Sequence, residues 1–333
     1  MHLLPGVRFN YDQKDVDFVR NVTGGPANPT AAELAQLYSV YRPQAFAADV
    51  DDSNVSGQLT LQFAATDRIN AYATYATSFK SIGVNLGGLP LDANNDTILA
   101  AAEVAPEDVS HVEIGVKISP TPGSTANVTL FDTQIENYQT QVNNAQFGVA
   151  RGYLANADKV RVRGAEFDGN VNVGARFALR GSVTYTDGKY VSFTDAPPPL
   201  EGTGGPAAVD ASGGLLPGVS KWAASVGMEY RANVKAFGGA ELFTGVDLYY
   251  RDDFSSSPTP SKVLNVEGYS LVNLRLGLRA DSGAWSTYLW ARNALDEQYF
   301  EQLLPAPAGN GAGHYGAVLG DPRTYGVTVR FAF

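Results

Sequence analysis

The stretch Pro322–Phe333 divides into two sets of alternate residues. Tyr325, Val327, Val329, Phe331 and Phe333 are all apolar or aromatic, while Thr324, Gly326, Thr328, Arg330 and Ala332 are small or polar. A period of two sustained this far predicts a β-strand with one apolar face and one wet face. In water, an apolar face on a terminal edge strand invites aggregation. Between lipid and an aqueous lumen, the same pattern is what a membrane-spanning strand requires. The competing reading of this stretch alone is the last strand of a soluble β-sandwich.

The rest of the chain weighs these two readings. Strands are expected over 3–13, 55–65, 69–80, 107–119, 124–139, 159–173, 176–190, 220–231, 240–252, 266–279, 284–294 and 322–333. In the second, Val55, Leu59, Leu61 and Phe63 oppose Ser56, Gln58, Thr60 and Gln62; in the fourth, Val112, Ile114, Val116 and Ile118 oppose Glu113 and Lys117. The connections alternate as well. Those at 14–54, 81–106, 140–158, the Pro- and Gly-rich tract through Pro217, 253–265 and 295–321 are long, and the others are tight turns. Within 14–54, Thr30–Tyr38 reads as one short helix, with Thr30 as N-cap and Glu33 completing a capping box. An up-and-down membrane barrel has short periplasmic turns and long extracellular loops, whereas a Greek-key sandwich gives no reason for the alternation. Strands of about 10–15 residues also exceed the about 9–11 needed to cross a bilayer, so their surplus should project above it.

Composition narrows the function classes. The chain has no cysteine, which removes disulfides, thiolate metal sites and thiol catalysis. A net charge of −10 without a basic patch argues against nucleic acid as a partner. No apolar run is long enough for a membrane helix, and a mean hydropathy of −0.13 suits a barrel whose alternate residues face a wet lumen. The first residues, Met1–Gly6, have no basic or apolar leader region, so the chain is expected to be part of something longer.

Several stretches resemble the C-terminal part of the β-barrel of TonB-dependent outer-membrane receptors. Tyr72–Ser81 is similar to that family's aromatic strand ending in Phe-Lys, and Ala105-Pro106-Glu107 with Val112–Lys117 to its Pro-Glu … Glu-x-Gly-x-Lys strand. Arg163–Asp168 is similar to its Gly-x-Glu strand, Trp290–Tyr299 to its Asn-Leu-x-Asp-x-x-Tyr segment, and Asp321–Gly326 to the approach to its last strand. Each motif is weak alone; five in order over about 260 residues are specific. The terminal Tyr325, Val327, Val329, Phe331 and Phe333 also resemble the assembly signal of outer-membrane barrels.

The resemblance implies an all-β, transmembrane, antiparallel up-and-down β-barrel in the bacterial outer membrane, with short periplasmic turns and long extracellular loops. Residues 1–333 would be one domain of about twelve strands, a C-terminal portion of a 22-stranded barrel without the plug domain. Its partners would be outer-membrane lipid, the barrel-assembly machinery through the C-terminal strand, an extracellular small-molecule substrate and, only through the plug, the TonB energy-coupling complex. No cofactor is implied. Function would be uptake of a scarce solute such as an iron-siderophore, cobalamin or a glycan. The alternatives are a self-contained twelve-stranded passive pore and a twelve-stranded barrel enzyme.

Candidate substrate contacts are the loop residues Tyr138, Tyr153, Phe193, Phe254, Phe300, His314 and Tyr315, each of which has an ordinary exposed loop aromatic as its plainer reading. Trp285, Tyr288, Trp290 and Tyr299 fit aromatic girdles at the lipid interfaces. Glu113 with Lys117, and Arg161 with Arg163, share faces and are expected to pair across the lumen wall. Asn293 and Asp296 suit a turn leaving a strand. No catalytic residue and no metal site are expected. Ser110 and His111 are adjacent and point to opposite faces of a strand, and the acidic run Asp49, Asp51, Asp52 reads as a solvated loop, with a Ca²⁺ site as the weaker alternative.

Overall fold

The computed structural model describes the whole chain except residues 39–41, 93, 95, 145–150, 203–204, 235–239, 307–313 and 333. Phe333, one residue of the terminal pattern, therefore lies outside the described residues. Twelve long strands form one sheet: β1 (His2–Arg20), β2 (Gln44–Thr66), β3 (Ile69–Lys80), β4 (Glu107–Ile118), β5 (Thr125–Asn144), β6 (Arg151–Val173), β7 (Phe177–Ser192), β8 (Trp222–Asn233), β9 (Glu241–Arg251), β10 (Tyr269–Arg279), β11 (Trp285–Arg292) and β12 (Thr324–Phe331). Each pairs antiparallel with its neighbours in chain order, from β1 at one edge to β12 at the other. Among the described residues no pairing joins β1 to β12, so the sheet is open rather than closed into a twelve-stranded ring.

The register sorts every strand residue onto one of two faces. Tyr325, Val327, Val329 and Phe331 stand opposite Ala291, Leu289, Thr287 and Trp285, and from there the same face runs through Leu274, Leu276 and Leu278, through Val246 and Leu248, and through Val226 and Met228. It continues to Leu179 and Val183, Phe167, Val128 and Leu130, Val112, Ile114 and Val116, and Leu59, Leu61, Leu3 and Val7. Most of these side chains are exposed, Tyr325 at 81%. A continuous apolar face of this size is left bare only where something other than water covers it. Aromatic residues mark its two margins. Tyr75, Tyr185, Trp222, Tyr250 and Tyr325 lie towards the long loops, with the Tyr185 and Trp222 rings 4.9 Å apart. Phe63, Phe177, Tyr230, Trp285 and Phe331 lie towards the short turns, with Phe177 and Tyr230 4.7 Å apart. Phe177 and Tyr185 share β7; at about 3.4 Å per residue they are roughly 27 Å apart along it. Tilted by about 40°, that leaves roughly 20 Å across the membrane, close to the height of a barrel's apolar band.

The opposite face is polar. Asp247 accepts from Arg180 (2.6 Å) and Arg275 (2.8 Å), and Glu229 from Arg231 (2.6 Å) and Arg275 (3.1 Å), linking β7 to β10 in one ion-pair network. Tyr288 and Trp290 face this side, which corrects their assignment to lipid girdles. They alternate with outward Leu289; the Trp290 ring lies over Gly326 of β12, where any Cβ would clash at 2.6 Å, and Gly277 of β10 leaves room for the Tyr288 Cβ and the Phe243 ring, 2.4 and 2.8 Å from where a Cβ of its own would stand. Trp290 Nε1 donates to Thr328 Oγ1 at 3.2 Å.

Three further expectations are revised. Strands β1 and β2 absorb both ends of the expected loop 14–54, and β5 and β6 most of 140–158. Asp49, Asp51 and Asp52 consequently sit in β2 rather than in a loop. Arg161 and Arg163 pair with Asp132 and Asp187 on the outward register, not across the lumen wall, while Glu113 and Lys117 face inward. The short helix α1 (Ala31–Leu37) forms with its capping box as expected: Thr30 N donates to Glu33 Oε2 (2.7 Å) and Glu33 N to Thr30 Oγ1 (3.3 Å). No helix among the described residues is long and apolar enough to cross a membrane, which says nothing of strands.

Candidate extracellular binding face

All well-buried clusters lie at the long-loop end, where loops fold over the polar face of the sheet. Segment 193–221 packs Phe193, Ala196, Ala211 and Leu216 onto Val142, Ala157, Val160 and Tyr190 of β5, β6 and β7. Segment 81–106 sets Leu89 and Ala102 on Ala48 of β2. It is fixed by reciprocal bonds, Gln44 Nε2 to Leu89 O (2.9 Å) with Leu89 N to Gln44 Oε1 (3.0 Å), and Leu154 N to Asn85 Oδ1 (2.7 Å) with Asn85 Nδ2 to Leu154 O (2.9 Å). These bonds tie one loop to both β2 and β6. Arg20 adds a third tie, donating to Gly87 O at 2.8 Å. Ordered loops above a polar wall make a shaped mouth rather than a fringe of mobile chain.

The sequence-derived candidates fall into three places. Tyr138, Tyr153 and Phe193 meet in the cluster under segment 193–221, where Phe193 is 3% exposed and the Tyr138 and Tyr190 rings lie 6.4 Å apart. Phe254 is also 3% exposed, beneath the Arg251 guanidinium at 3.7 Å, in a short pairing of Phe254–Ser255 with Asn265–Val266. Phe300, His314 and Tyr315 lie on a hairpin, Phe300–Ala306 against His314–Leu319, and all three are exposed. The hairpin sits within the expected loop 295–321.

A residue that sequence reading did not single out, Glu201, joins three of these loops. Its Oε2 accepts from Tyr315 OH (2.8 Å) and its Oε1 from Lys262 N (2.7 Å). A lone Glu in a Pro/Gly-rich tract carries no pattern that could have marked it. Burial raises its pKa, but hydrogen bonds from its own backbone, Ser261, Tyr315 and Lys262 outweigh that, leaving it below the ordinary 4.5. Tyr315 is pushed up to about 12, by burial first and by the Glu201 carboxylate second. A carboxylate whose pKa is lowered by folding stabilises above its ordinary pKa, and the effect is lost as pH falls through the folded value. The clasp is therefore expected to hold from neutrality down to the ordinary carboxylate range and to open below it. Amide-exchange protection at Lys262, compared with that at Val246 in the sheet, checks this; protection at Lys262 that persists fully at about pH 2 would count against it. Among the described residues no group of three or more His, Cys, Asp or Glu is placed to hold a metal ion.

Comparisons with known proteins bear on this geometry. A family model described as "TonB dependent receptor-like, beta-barrel" matches residues 1–294. No curated protein matches the sequence. Among solved structures, the ferric yersiniabactin uptake receptor FyuA from Yersinia pestis superposes with a TM-score of 0.72 at 17% identity, covering 99% of this chain and 43% of that one. The siderophore receptor PiuA from Acinetobacter baumannii gives 0.65 at 18%, covering 98% and 40%. The copper transporter OprC gives 0.67 at 16%, covering 99% and 45%. At these identities the likeness is one of fold, and the chain spans less than half the length of each.

Proposed function

The chain belongs to the TonB-dependent receptor-like β-barrel family, and from that premise we propose that it forms part of the wall and extracellular mouth of an outer-membrane receptor for a scarce solute. The observation that carries this is the open sheet itself: twelve strands in chain order, apolar on one face and polar on the other, with long loops at one end only. Free strand edges are not tolerated in lipid, so β1 and β12 need further strands to complete a wall. That argues for a portion of a larger barrel over a self-contained twelve-stranded pore. We read the chain as a receptor wall rather than a catalyst.

The structural neighbours named above include siderophore receptors and a copper transporter, and we take a metal-bearing chelate as the leading substrate class, with cobalamin and glycans behind it. Of the seven candidate contacts, the exposed Phe300, His314 and Tyr315 are best placed to meet a solute arriving from outside. Tyr138, Tyr153, Phe193 and Phe254 would act by shaping the loops. Lipid would cover the apolar face, β12 would engage the assembly machinery, and coupling to TonB would run through a plug domain.

The test is refolding into detergent and lipid vesicles. Heat-dependent gel mobility with β-type circular dichroism is expected, together with no stable single-channel conductance from the chain alone. Folding as a soluble monomer without detergent overturns the membrane reading. Discrete, uniform conductance steps would favour the self-contained pore.

A further inference from the structure

Just beyond the loop-side aromatic margin, three neighbouring strands carry charge on the outward, apolar register. Leu130, Ala165 and Tyr185 are paired across β5, β6 and β7; the next outward rank is Asp132, Arg163 and Asp187, then Gln134, Arg161 and Lys189, then Glu136 with Lys159. Tyr185, in contact with Trp222, belongs to the margin. One outward step is two residues, about 7 Å along a strand, so the first charged rank stands at the depth where a bilayer's headgroups begin.

The charges are also organised. Arg161 grips Asp132 with Nε at 3.0 Å from both carboxylate oxygens, and its Nη2 closes on the same group. Asp187 holds Lys189 at 2.9 Å and Arg163 at 3.3 Å; Glu136 holds Lys159 at 3.5 Å. With Asp108 of β4 opposite Glu136, four cations thus stand among four carboxylates, and the carboxylates fix the guanidinium planes while the heads of Arg163 and Lys189 stay about half exposed. The same register above the margin on β1 and β2 holds Asp15, Asp17, Asp49 and Asp51 and no cation. In a chain of net charge −10, the outward rim is acidic on one flank and rich in oriented cations on the other. Ion pairs serving only to brace strands in water would not need their cations gathered on the neighbouring strands β6 and β7 just above the margin. Planar guanidinium groups match phosphate oxygens in pairs.

We infer that the outward face of β5–β7 above the aromatic margin binds the phosphorylated headgroups of outer-leaflet lipid. Arg161, Arg163 and Lys189 donate to phosphate, and Asp132 and Asp187 orient them. The inference rests on the membrane reading above, and the neighbouring apolar band commits it to lipid rather than to a free anion.

The test uses the full chain in detergent, titrated with lipid A and separately with dephosphorylated lipid A, with bound lipid counted by native mass spectrometry. Heat-dependent gel mobility is recorded in parallel. Phosphorylated lipid is expected to bind about tenfold tighter than the dephosphorylated form. The combined variant R161Q/D132N/R163Q/K189Q should lose that preference, while R279Q/E241Q on the inward face keeps it. Equal binding of the two lipids by the unaltered chain overturns the inference without any variant being needed. So does displacement of lipid A by inorganic phosphate at similar concentration, which would mark a free-anion site. A chain that shows no heat-dependent mobility overturns the membrane reading, and this inference with it, and the gel tells that failure apart from a lost lipid preference.

Discussion

Ala73→Arg is expected to destabilise the inserted sheet by about 2–4 kcal/mol, while Ala76→Arg, on the same strand, changes it by less than about 1 kcal/mol. The two alanines stand on opposite faces of β3, Ala76 one residue beyond the marginal Tyr75. Ala73 stands between Leu61 and Ile114 on the apolar face, midway between the aromatic margins. Ala76 stands between Gln58 and His111 on the polar face. An arginine at position 73 must carry its guanidinium into hydrocarbon or strain its stem and the strand towards the headgroups. An arginine at position 76 enters a hydrated, polar surface, where its charge is solvated. Urea titration in lipid vesicles, followed by gel mobility, measures both. Equal costs at the two positions would mean that the face assignment is wrong throughout the sheet, because one register fixes every strand.

The same parity explains what could be read from the chain beforehand. Strands were legible wherever one face is apolar, as in Val55–Phe63, Val112–Ile118 and Tyr325–Phe331. They were not legible in Lys14–Arg20 or in Gln44–Asn54, where β1 and β2 rise above the bilayer and both faces are wet or mixed. There Asp52 stands opposite Asp12 and Asp15 opposite Asp49, so the alternation signal disappears while the backbone ladder continues. Tyr288 and Trp290 were misplaced for the converse reason: composition suggests a girdle, but their parity against Leu289 puts them inside, where Gly326 leaves room for the Trp290 ring. The loops were the least legible part. Nothing local in the sequence marks Phe193 as a buried anchor, or Glu201 as a junction between segments some sixty and more than a hundred residues away. Those roles come from long-range packing, which a single sequence does not display.

Asn293→Ala should cost about 3–4 kcal/mol and loosen β12 before any other strand. Asn293 directly follows β11 and is 4% exposed, at φ 46°. Its side chain closes the start of the 293–323 connection: Nδ2 donates to Glu297 O (2.8 Å) and to Asp321 O (3.0 Å), and Oδ1 accepts from Glu297 N (2.8 Å). The Asp321 bond is the one that matters for the last strand, because it fixes the chain two residues before Arg323 and three before β12 begins. Alanine removes all three bonds, at about 1 kcal/mol each, and places a Cβ in the left-handed region without the polar side chain that eases it, at about 1 kcal/mol more. Asn293→Gly removes the same bonds but not the backbone freedom, so it should be milder than alanine by about that last amount. Asn293→Asp keeps only the acceptor and turns a carboxylate towards two carbonyl oxygens, so it should resemble alanine rather than the parent. Hydrogen exchange read separately on β12 and β7 distinguishes a local from a global effect. Faster exchange confined to Thr324–Phe331 is the expected result. Uniform loss across the sheet, or no difference between the alanine and glycine variants, would show that the turn does not hold the terminal strand in the way its geometry implies.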